Sequence, residues 1–541
     1  MNRNITTIFF AGLLLLASSC SFLDVELQDD MSEDESYSTE ANVNMALNGV
    51  YATLGEVGLY YNYMLSSMGL SADIGYDNSS KENTVGIYDV VPSDSKILTY
   101  WRNLYDGINR ANLLIANIDK AKDLTPEKRD NIYAQALFLR GYFHFMLVVR
   151  FQNICVMTEP YSDLSKKIKQ STAREAYLQI ISDMETAAPL LKPASELRSP
   201  GTVSQSTAYG MLSRVALYMA GYPVYEPGMY AKAKSYAQKV IDETYHELNP
   251  SFSQFFINLI QDKYDPKESL FEVEFWGNNE GSYTSTAGMV GRNNGIRNTD
   301  ETVLASGLTV RDTYGYSNGG LLATPYLVSL FDEGDLRRDW TAAPYLYKID
   351  SEGNVYQSTI NDDWGRYCGK FRREYELAVE KSLFSPINFP ILRYAEVLLN
   401  WAEAVAADPE NNDASEITMA YNYLNQVRRR GYGFDINTPN TISDIEIGTK
   451  AALYEVLKEE RARELGFELL RKDDIVRWGE FYSRMNAMRS MINQVSSSVT
   501  ISYYQNARLY YNNFKSCDEF WPIPSYELGL NPNNMKQNVG F

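Results

Sequence analysis

Cysteine and histidine are scarce in this chain of 541 residues, which has four cysteines and two histidines. The cysteines stand at positions 20, 155, 368 and 517, a spacing that forms neither a CxxC metal motif nor a disulfide framework. With only His144 and His246 available, a Ser-His-Asp triad or a histidine-rich zinc site is not expected. We therefore expect no metal site and no cofactor. His144 lies within an apolar helical run and is interpreted as a packed core residue.

Basic residues are also fewer than acidic residues in this chain. The chain has 50 basic and 69 acidic residues, and its formal net charge is −19. Nucleic-acid-binding proteins need basic patches that displace counterions from phosphates, so we expect no nucleic acid partner. The same acidity argues against electrostatic docking on a membrane. The composition is otherwise that of an ordinary globular protein, with tyrosine in excess at 41 residues.

The first twenty residues have the features of a secretory signal. A basic start with Arg3 is followed by an apolar run at 5–16 and by small residues directly before Cys20. The apolar run is too short to span a bilayer as a helix. A cysteine in this place is where bacterial lipoproteins are cut and acylated. We therefore expect 1–19 to be a lipoprotein signal peptide and Cys20 to carry the lipid, which would be the protein's membrane contact. The alternative is a plain signal peptide followed by an incidental cysteine.

Most of the chain has the pattern of amphipathic helices arranged in pairs. Thr125 before Pro126 marks one helix start, and Thr172 with Glu175 forms a capping box at another. Apolar residues then recur at three- and four-residue steps. Further helices are predicted near 41–56, 101–120, 205–220, 229–243, 389–407, 415–430 and 450–470. Short connections and a pair spacing of roughly 35–45 residues predict a mostly α fold of tetratricopeptide-like helical hairpins.

Strand signal is thin, and one long segment lacks regular periodicity. Phe271, Val273 and Phe275 alternate with glutamates and predict one half-buried strand that ends at Trp276. From there to Pro325 the chain is rich in Gly, Asn, Ser and Thr, and a loop region of that length is usually functional or disordered. We expect a single domain at 20–541, made of a helical scaffold at about 41–260 and 389–541 and a loop-rich insert at about 261–388.

Five motifs, in order along the chain, resemble those of the SusD/RagB family. The first two are WRNLYDGINRAN at 101–112 and AQALFLRGY at 134–142. The most recognisable, PILRYAEVLL followed by WAEA, occupies 390–404, and ERARELGFELLRKDDIVRWG occupies 460–479. The tail supplies WPIP at 521–524, NPN at 531–533 and QNVGF at 537–541. Because the motifs occur in order, the resemblance covers the chain and is far more specific than any single motif.

The resemblance implies a nutrient-binding lipoprotein exposed on the outer membrane of Bacteroidetes-type bacteria. Members of the family have a tetratricopeptide-like scaffold with an irregular, loop-rich ligand-binding part. They cap a SusC-like TonB-dependent transporter and hand it captured oligosaccharide. No catalysis is known for the family type, so the resemblance implies a binding protein and not an enzyme. Some branches take peptide or glycoprotein ligands instead.

The charged residues of the family motifs are predicted to be structural. These are Arg393, Glu396, Glu403, Arg461 and Arg471. Steps of three and seven residues place the first three near one face of a predicted helix. Opposite charges set into apolar faces are expected to pair with each other and with loop carbonyls, and so to hold the helices and the tail together. Direct ligand contact is the alternative.

A sugar ring presents an apolar face and a rim of hydroxyls, so its recognition needs flat aromatic side chains with polar neighbours. Two segments have this composition, one at 60–88 and the other in the long loop region after Val273. The candidate glycan-binding residues are Tyr61, Asp73, Tyr76, Asp77, Trp276, Asn278, Tyr283, Tyr314 and Tyr316. The resemblance supports both places but supplies no residues, because these segments share no motif. Ordinary packing is the alternative for each of these side chains.

Two other functions stay open at the level of sequence. Glycoside hydrolysis needs two carboxylates across the scissile bond, roughly 5–5.5 Å or 6.5–9.5 Å apart. Asp73 with Asp77, or Asp362 with Asp363, could be proposed, but nothing marks one pair out among 69 acidic residues. The other possibility is the binding of a peptide or glycoprotein in place of a free oligosaccharide.

Overall fold

The computed structural model describes residues 35–78, 84–161, 168–276, 287–304, 306–307, 309–377 and 383–541. The predicted signal peptide, the lipidation site Cys20 and the candidate residues Asn278 and Tyr283 lie outside the described residues.

Helices make up most of the described chain. In chain order they are α1 (Glu40–Ala52), α2 (Tyr63–Ser66), α3 (Ser95–Asn117), α4 (Pro126–Phe151), α5 (Ala173–Ala187), α6 (Gln205–Ala220), α7 (Met229–Asp242), α8 (Phe252–Ile260), α9 (Val290–Asn294), α10 (Val310–Tyr314), α11 (Pro325–Ser329), α12 (Arg337–Thr341), α13 (Tyr394–Ala407), α14 (Ala414–Gly431), α15 (Lys450–Leu465), α16 (Arg471–Arg477), α17 (Phe481–Asn493), α18 (Ser502–Asn513) and α19 (Ser525–Leu530). Consecutive helices pack in pairs, α4 with α5, α6 with α7 and α13 with α14. The predicted mostly α, hairpin-based scaffold is confirmed.

Local sequence explains where the long helices begin. The Thr125 hydroxyl accepts a hydrogen bond from Lys128 N ahead of Pro126, and Thr172 forms the predicted capping box with Glu175. The prediction of a helix from residue 389 is wrong at its start. Arg393 has extended backbone and is paired with a neighbouring strand, so the helix begins only at Tyr394. Helices α8, α17 and α18 form where the sequence pattern predicted none.

Eight short strands complete the described structure. They are β1 (Gly75–Asp77), β2 (Ser269–Val273), β3 (Leu321–Ala323), β4 (Ala342–Ala343), β5 (Tyr345–Ile349), β6 (Val355–Thr359), β7 (Tyr367–Cys368) and β8 (Phe389–Arg393). One sheet has the order β1-β3-β7-β4, and two antiparallel pairs are formed by β2 with β8 and β5 with β6. All neighbouring strands are antiparallel.

The half-buried strand predicted around Phe271 is buried along its whole length as β2. The ring of Phe271 packs edge-on against Phe138 and Tyr142 of α4. On the strand's other face the Glu272 carboxylate accepts hydrogen bonds from Ser269 Oγ at 2.9 Å and Asn388 Nδ2 at 3.1 Å. The prediction of a half-buried strand is therefore wrong for this segment, because tertiary contacts cover the polar side of the alternating pattern as well.

The charged residues of the family motifs are buried and form ion pairs. Arg393 pairs with Glu268, Glu464 and Glu468; Glu396 pairs with Arg214; Glu403 with Arg477; Arg461 with Asp474; and Arg471 with Asp73. Arg461 also lies 3.7 Å from Glu403 and 4.0 Å from Glu396, so motif charges pair with each other as predicted, and the pairs join different elements of the chain. The pairs thereby connect the scaffold helices to each other and to the segment before β1.

Helix α4 is the one described helix that is long and apolar enough to cross a membrane by composition, but 89% of its most apolar window is buried in the protein. His144 in this helix is fully buried. Its Nδ1 lies 3.0 Å from Arg140 O, and its Nε2 accepts a hydrogen bond from Met157 N. Burial, together with the charge of Arg140, lowers the pKa of His144 to about 3. The imidazole is therefore a neutral core group, as predicted.

Candidate functional site

Tyr61, Arg292 and Tyr316 lie together in the described structure, and we call them the arginine–tyrosine surface. The Arg292 guanidinium carbon is 5.7 Å from the centre of the Tyr316 ring. Partial burial raises the pKa of Tyr61, and the charge of Arg292 offsets part of that rise. All three side chains are half-buried, so each keeps some exposure to solvent. Two of the predicted aromatic residues therefore flank a single guanidinium.

Asparagine side chains and backbone groups fix the geometry of this surface. Asn293 Nδ2 donates to Asn62 Oδ1 at 2.9 Å, which joins α9 to the segment before α2. Asn318 N donates to Arg292 O at 3.0 Å and so ties the segment that carries Tyr316 to α9. Arg373, paired with Glu376, also donates to Tyr316 O at 2.9 Å. Because these hydrogen bonds hold the backbone, the aromatic rings do not depend on loop packing alone for their positions.

A cavity of about 600 Å³ adjoins the arginine–tyrosine surface. Its lining comes from α1, α4 and β2, and comprises Asn44, Leu47, Asn48, Tyr51, Ala52, Leu54, Gly55, Tyr61, Gln135, Gly201, Thr202, Glu272, Val273, Glu274, Phe275 and Ala287. Tyr61 thus belongs to both the cavity and the surface. Trp276 directly follows the lining residue Phe275, and its side chain is 56% exposed. A large aromatic with this exposure beside a cavity suits stacking on a ligand.

The cavity wall is polar and carries a carboxyl group with a shifted pKa. The Tyr51 hydroxyl donates to Gln135 Oε1 at 2.7 Å and accepts from Val203 N. Burial raises the pKa of Glu272 to about 8, so this carboxyl is mostly protonated at neutral pH. Among the described residues, no group of three or more His, Cys, Asp or Glu side chains is placed to hold a metal ion.

Asp73, Tyr76 and Asp77 are buried, and the expectation that they face a ligand is corrected. Tyr76 is fully buried, and its hydroxyl donates to Trp364 O at 2.6 Å. Both oxygens of Asp73 accept from Arg471, at 2.7 and 2.8 Å. The side chain of Asp77 is 1% exposed. These positions lie on or beside β1, which packs against β3 and α18, so no ring face or carboxylate is open to a sugar.

Tyr314 lies apart from the arginine–tyrosine surface. Its ring stacks on Tyr347 with centres 5.1 Å apart and an angle of 21° between the planes. One face of the half-buried Tyr314 ring is therefore already covered by protein.

Several cavity residues were not singled out by sequence reasoning. They are Asn44, Asn48, Tyr51 and Gln135. The spacing of Asn44 and Asn48 places both on one face of α1, a signal that was available in the sequence. Gln135 lies inside a family motif, in a helix that is otherwise mostly buried, and nothing in its local pattern marks it as a cavity residue.

Comparison with known proteins identifies the family to which the chain belongs. A family model described as "SusD family" matches residues 267–541, more than half of the chain. The chain belongs to the SusD family. A second model, described as "Starch-binding associating with outer membrane", matches residues 21–217. The resemblance drawn from the five motifs is thus confirmed.

Individual relatives of this SusD-family chain cover nearly all of it. The SusD-like protein P2 of Formosa agariphila is 26% identical over 557 residues, with 99% of each chain covered. The crystal structure of a SusD homologue from Bacteroides thetaiotaomicron has a TM-score of 0.81 and 26% identity, covering 94% of this chain and 98% of that one. Surface glycan-binding protein A from the same organism, solved with laminarihexaose, shares the fold at 19% identity and a TM-score of 0.67, covering 92% and 99%.

Proposed function

We propose that this protein binds oligosaccharide at the cell surface without transforming it and delivers it to a SusC-like TonB-dependent transporter. The observation that carries the proposal is the exposed Trp276, which follows the lining residue Phe275 of a cavity that Tyr61 shares with the arginine–tyrosine surface. Membership of the SusD family supports the same conclusion. So does the shared fold of a surface glycan-binding protein solved with laminarihexaose.

The chemistry of the site fits a sugar chain. Trp276 offers an exposed aromatic side chain, whose face the C–H face of a pyranose ring contacts favourably. The amides of Asn44, Asn48 and Gln135 supply donors and acceptors for hydroxyl groups along the cavity wall. A cavity of about 600 Å³ lies within the range typical of ligand sites.

The acid pairs considered from sequence do not support hydrolysis. Asp73 is engaged by Arg471, and Asp363 by Arg366 at 2.8 Å. Asp362 accepts hydrogen bonds from Tyr503, Tyr504 and Trp364 N. A glycosidase needs one protonated and one ionised carboxyl placed across the bond that breaks. Glu272 is the cavity acid with a raised pKa, but both of its oxygens are held by Ser269 and Asn388.

The binding-only proposal is tested by product analysis. Purified protein is incubated with neutral and acidic polysaccharides, and the mixture is analysed by chromatography. We expect the polysaccharides to be recovered intact. Shorter products that disappear when the Glu272→Gln variant replaces the wild type would contradict the proposal and assign hydrolysis to the cavity. A peptide or glycoprotein array, run in parallel, tests the other class of ligand.

The first mutational prediction concerns Trp276. We expect Trp276→Ala to weaken glycan binding about tenfold, roughly 1.4 kcal/mol, because a stacked aromatic side chain is lost. Thermal stability should change little, since the side chain is more than half exposed. Affinity is measured by isothermal titration calorimetry with the best ligand from a glycan array. Tyr283→Ala is expected to act in the same direction.

The control for Trp276 is Tyr356→Ala, which removes another exposed aromatic side chain, 47% exposed, from the hairpin strand β6 outside the cavity lining. This variant should bind like the wild type. Unchanged affinity in both Trp276→Ala and Tyr283→Ala would remove the assignment of the aromatic rim.

A second prediction concerns anchoring. We expect Cys20→Ser to move the protein from the membrane fraction to the soluble fraction, because acylation at this thiol supplies the anchor. The comparison is made by fractionating cells and blotting for the protein, with Cys155→Ser as the matched control. Cys155 is buried in the fold, so its replacement leaves the anchor intact. Retention of Cys20→Ser in the membrane fraction would contradict lipid anchoring.

Co-purification of the wild type with a TonB-dependent transporter tests the proposed delivery of the ligand to that transporter.

A further inference from the structure

The buried arginines of the described chain have oxygen acceptors for their guanidinium groups. Arg214 donates to Glu396, Arg461 to Asp474 and Arg393 to three glutamates. Arg489 and Arg508, which are half-buried, donate to backbone carbonyls. This pattern follows from the free energy lost when a charged donor leaves water without gaining an acceptor.

Arg292 departs from this pattern. Among the described residues, no carboxylate or carbonyl oxygen accepts a hydrogen bond from its half-buried guanidinium. Its Nη1 contacts Met289 Sδ at 3.9 Å, and a thioether is a weak acceptor. Its Nε is buried and has no hydrogen-bond partner. This guanidinium lies beside the Tyr316 ring of the arginine–tyrosine surface.

The groups around Arg292 leave its charge unbalanced. Arg311 approaches the same Tyr316 ring, at 5.5 Å, but is neutralised by Glu301 at 2.6 Å. Asn318 Oδ1 and both side-chain amide atoms of Asn294 are buried next to this segment without hydrogen-bond partners. The positive charge at the arginine–tyrosine surface therefore comes from Arg292, and unused polar groups accompany it.

We propose that the oligosaccharide bound at this surface is acidic and that Arg292 pairs with its carboxylate or sulfate group. The inference rests on the proposed function and adds the class of sugar. A guanidinium is a planar, forked donor that matches two oxygens of a carboxylate or sulfate group. In a protein with a net charge of −19, a polyanion is repelled at long range, so its capture requires a local cation without a carboxylate partner.

The experiment compares acidic polysaccharides with neutral counterparts of the same linkage. Polygalacturonate, alginate and glucuronoxylan are paired with their carboxyl-reduced forms, and chondroitin sulfate with its desulfated form. Laminarin and starch serve as further neutral probes. Affinity is measured by calorimetry on the soluble chain that begins after Cys20. We expect at least one acidic probe to bind about tenfold more tightly than its neutral counterpart, with an affinity that falls as salt is raised. The carboxylate and sulfate arms show which group is recognised.

Three variants test whether the preference for acidic probes depends on Arg292. Arg292→Gln should reduce the preference for the acidic probe over its neutral counterpart, measured as the ratio of the two affinities, to less than about twofold. Arg292→Lys should keep part of the preference, because it retains charge without the fork. Arg311→Gln removes the other guanidinium beside the Tyr316 ring. Because Arg311 is already paired with Glu301, this variant should lower the preference for the acidic probe much less.

The outcomes separate a failure of the acidic-sugar inference from a failure of the proposed oligosaccharide binding. Binding of neutral probes alone, or a preference for acidic probes that survives in Arg292→Gln, would overturn the inference and leave the proposed function standing. The absence of binding to every probe, acidic or neutral, would overturn the proposed function and this inference together.

Discussion

Glu464→Ala should destabilise the protein by about 3–5 kcal/mol, the cost typical of removing one partner from a buried ion network. The Glu464 carboxylate accepts hydrogen bonds from Arg393 at 2.9 Å, Arg430 at 2.5 Å and Arg337 at 3.1 Å, and its side chain is fully buried. Its removal leaves three guanidinium groups with one acceptor fewer and no water to replace it. Urea unfolding followed by circular dichroism, with linear extrapolation, measures the difference.

Glu459→Ala is the matched control, on the same helix and with the same change of charge. Glu459 pairs with Arg463 at 2.8 Å, but its side chain is 46% exposed, so its loss should cost less than about 1 kcal/mol. If Glu464→Ala fails to fold, Glu464→Gln keeps the volume of the side chain and removes only the charge. Equal unfolding free energies for Glu464→Gln and Glu459→Gln would show that the network contributes nothing particular to stability.

Acidification should abolish the stabilising effect of Glu460 between about pH 5 and pH 2. Burial alone would raise the pKa of Glu460, but the charges of Arg337, Arg428 and Arg463 outweigh it and lower the pKa to about 2. A carboxyl whose folded pKa lies below its unfolded pKa of about 4.3 stabilises the fold above that value. The stabilisation is lost as the pH falls toward the folded pKa. We expect Glu460→Gln to cost ~3 kcal/mol at pH 7 and progressively less below pH 5.

The measurement is a series of urea titrations of wild type and Glu460→Gln from pH 7 to pH 3. The difference between the two unfolding free energies should shrink to about half of its pH 7 value at pH 3, because the folded pKa lies near 2. Glu459→Gln serves as control and should follow the wild type across the range. A difference between wild type and Glu460→Gln that stays constant down to pH 3 would contradict the low pKa, because the ionised form would then have no special stabilisation in the fold.

The buried ion pairs also connect the scaffold to the candidate site. Arg471 holds Asp73 two residues ahead of β1, whose pairing with β3 leads to the loop that carries Tyr316. Arg373 pairs with Glu376 and donates to Tyr316 O. We therefore propose that the motif residue Arg471 supports ligand binding by fixing the position of the segments that carry the candidate site.

Part of the fold could be predicted from local sequence because its causes are local. Helix α5 starts where its capping box lies, and α4 starts at Thr125–Pro126. The sequence predicts helix where β8 lies because four of its five residues are apolar, and a short apolar run has no period that separates strand from helix. The segment forms a strand because it pairs with β2, which lies more than a hundred residues away in the chain.

The candidate site was predicted less completely than the fold. Composition drew attention to tyrosines in two segments, and Tyr61 and Tyr316 do lie beside the same arginine. Tyr76 has the same residue type and similar neighbours, but its hydroxyl is bound by Trp364 O, 288 residues further along the chain. The solvent exposure of an aromatic side chain depends on such distant contacts, which no local sequence pattern predicts.

By itself, the amino-acid sequence determined the family, the helical scaffold and the acidic character of this protein, because motifs, helix periodicity and charge are properties of neighbouring residues. The tertiary structure alone decided which aromatic rings face solvent, which segments enclose the cavity and which arginine lacks an acceptor. Those features arise where segments far apart in sequence meet, and burial there is set by the partner that each side chain finds.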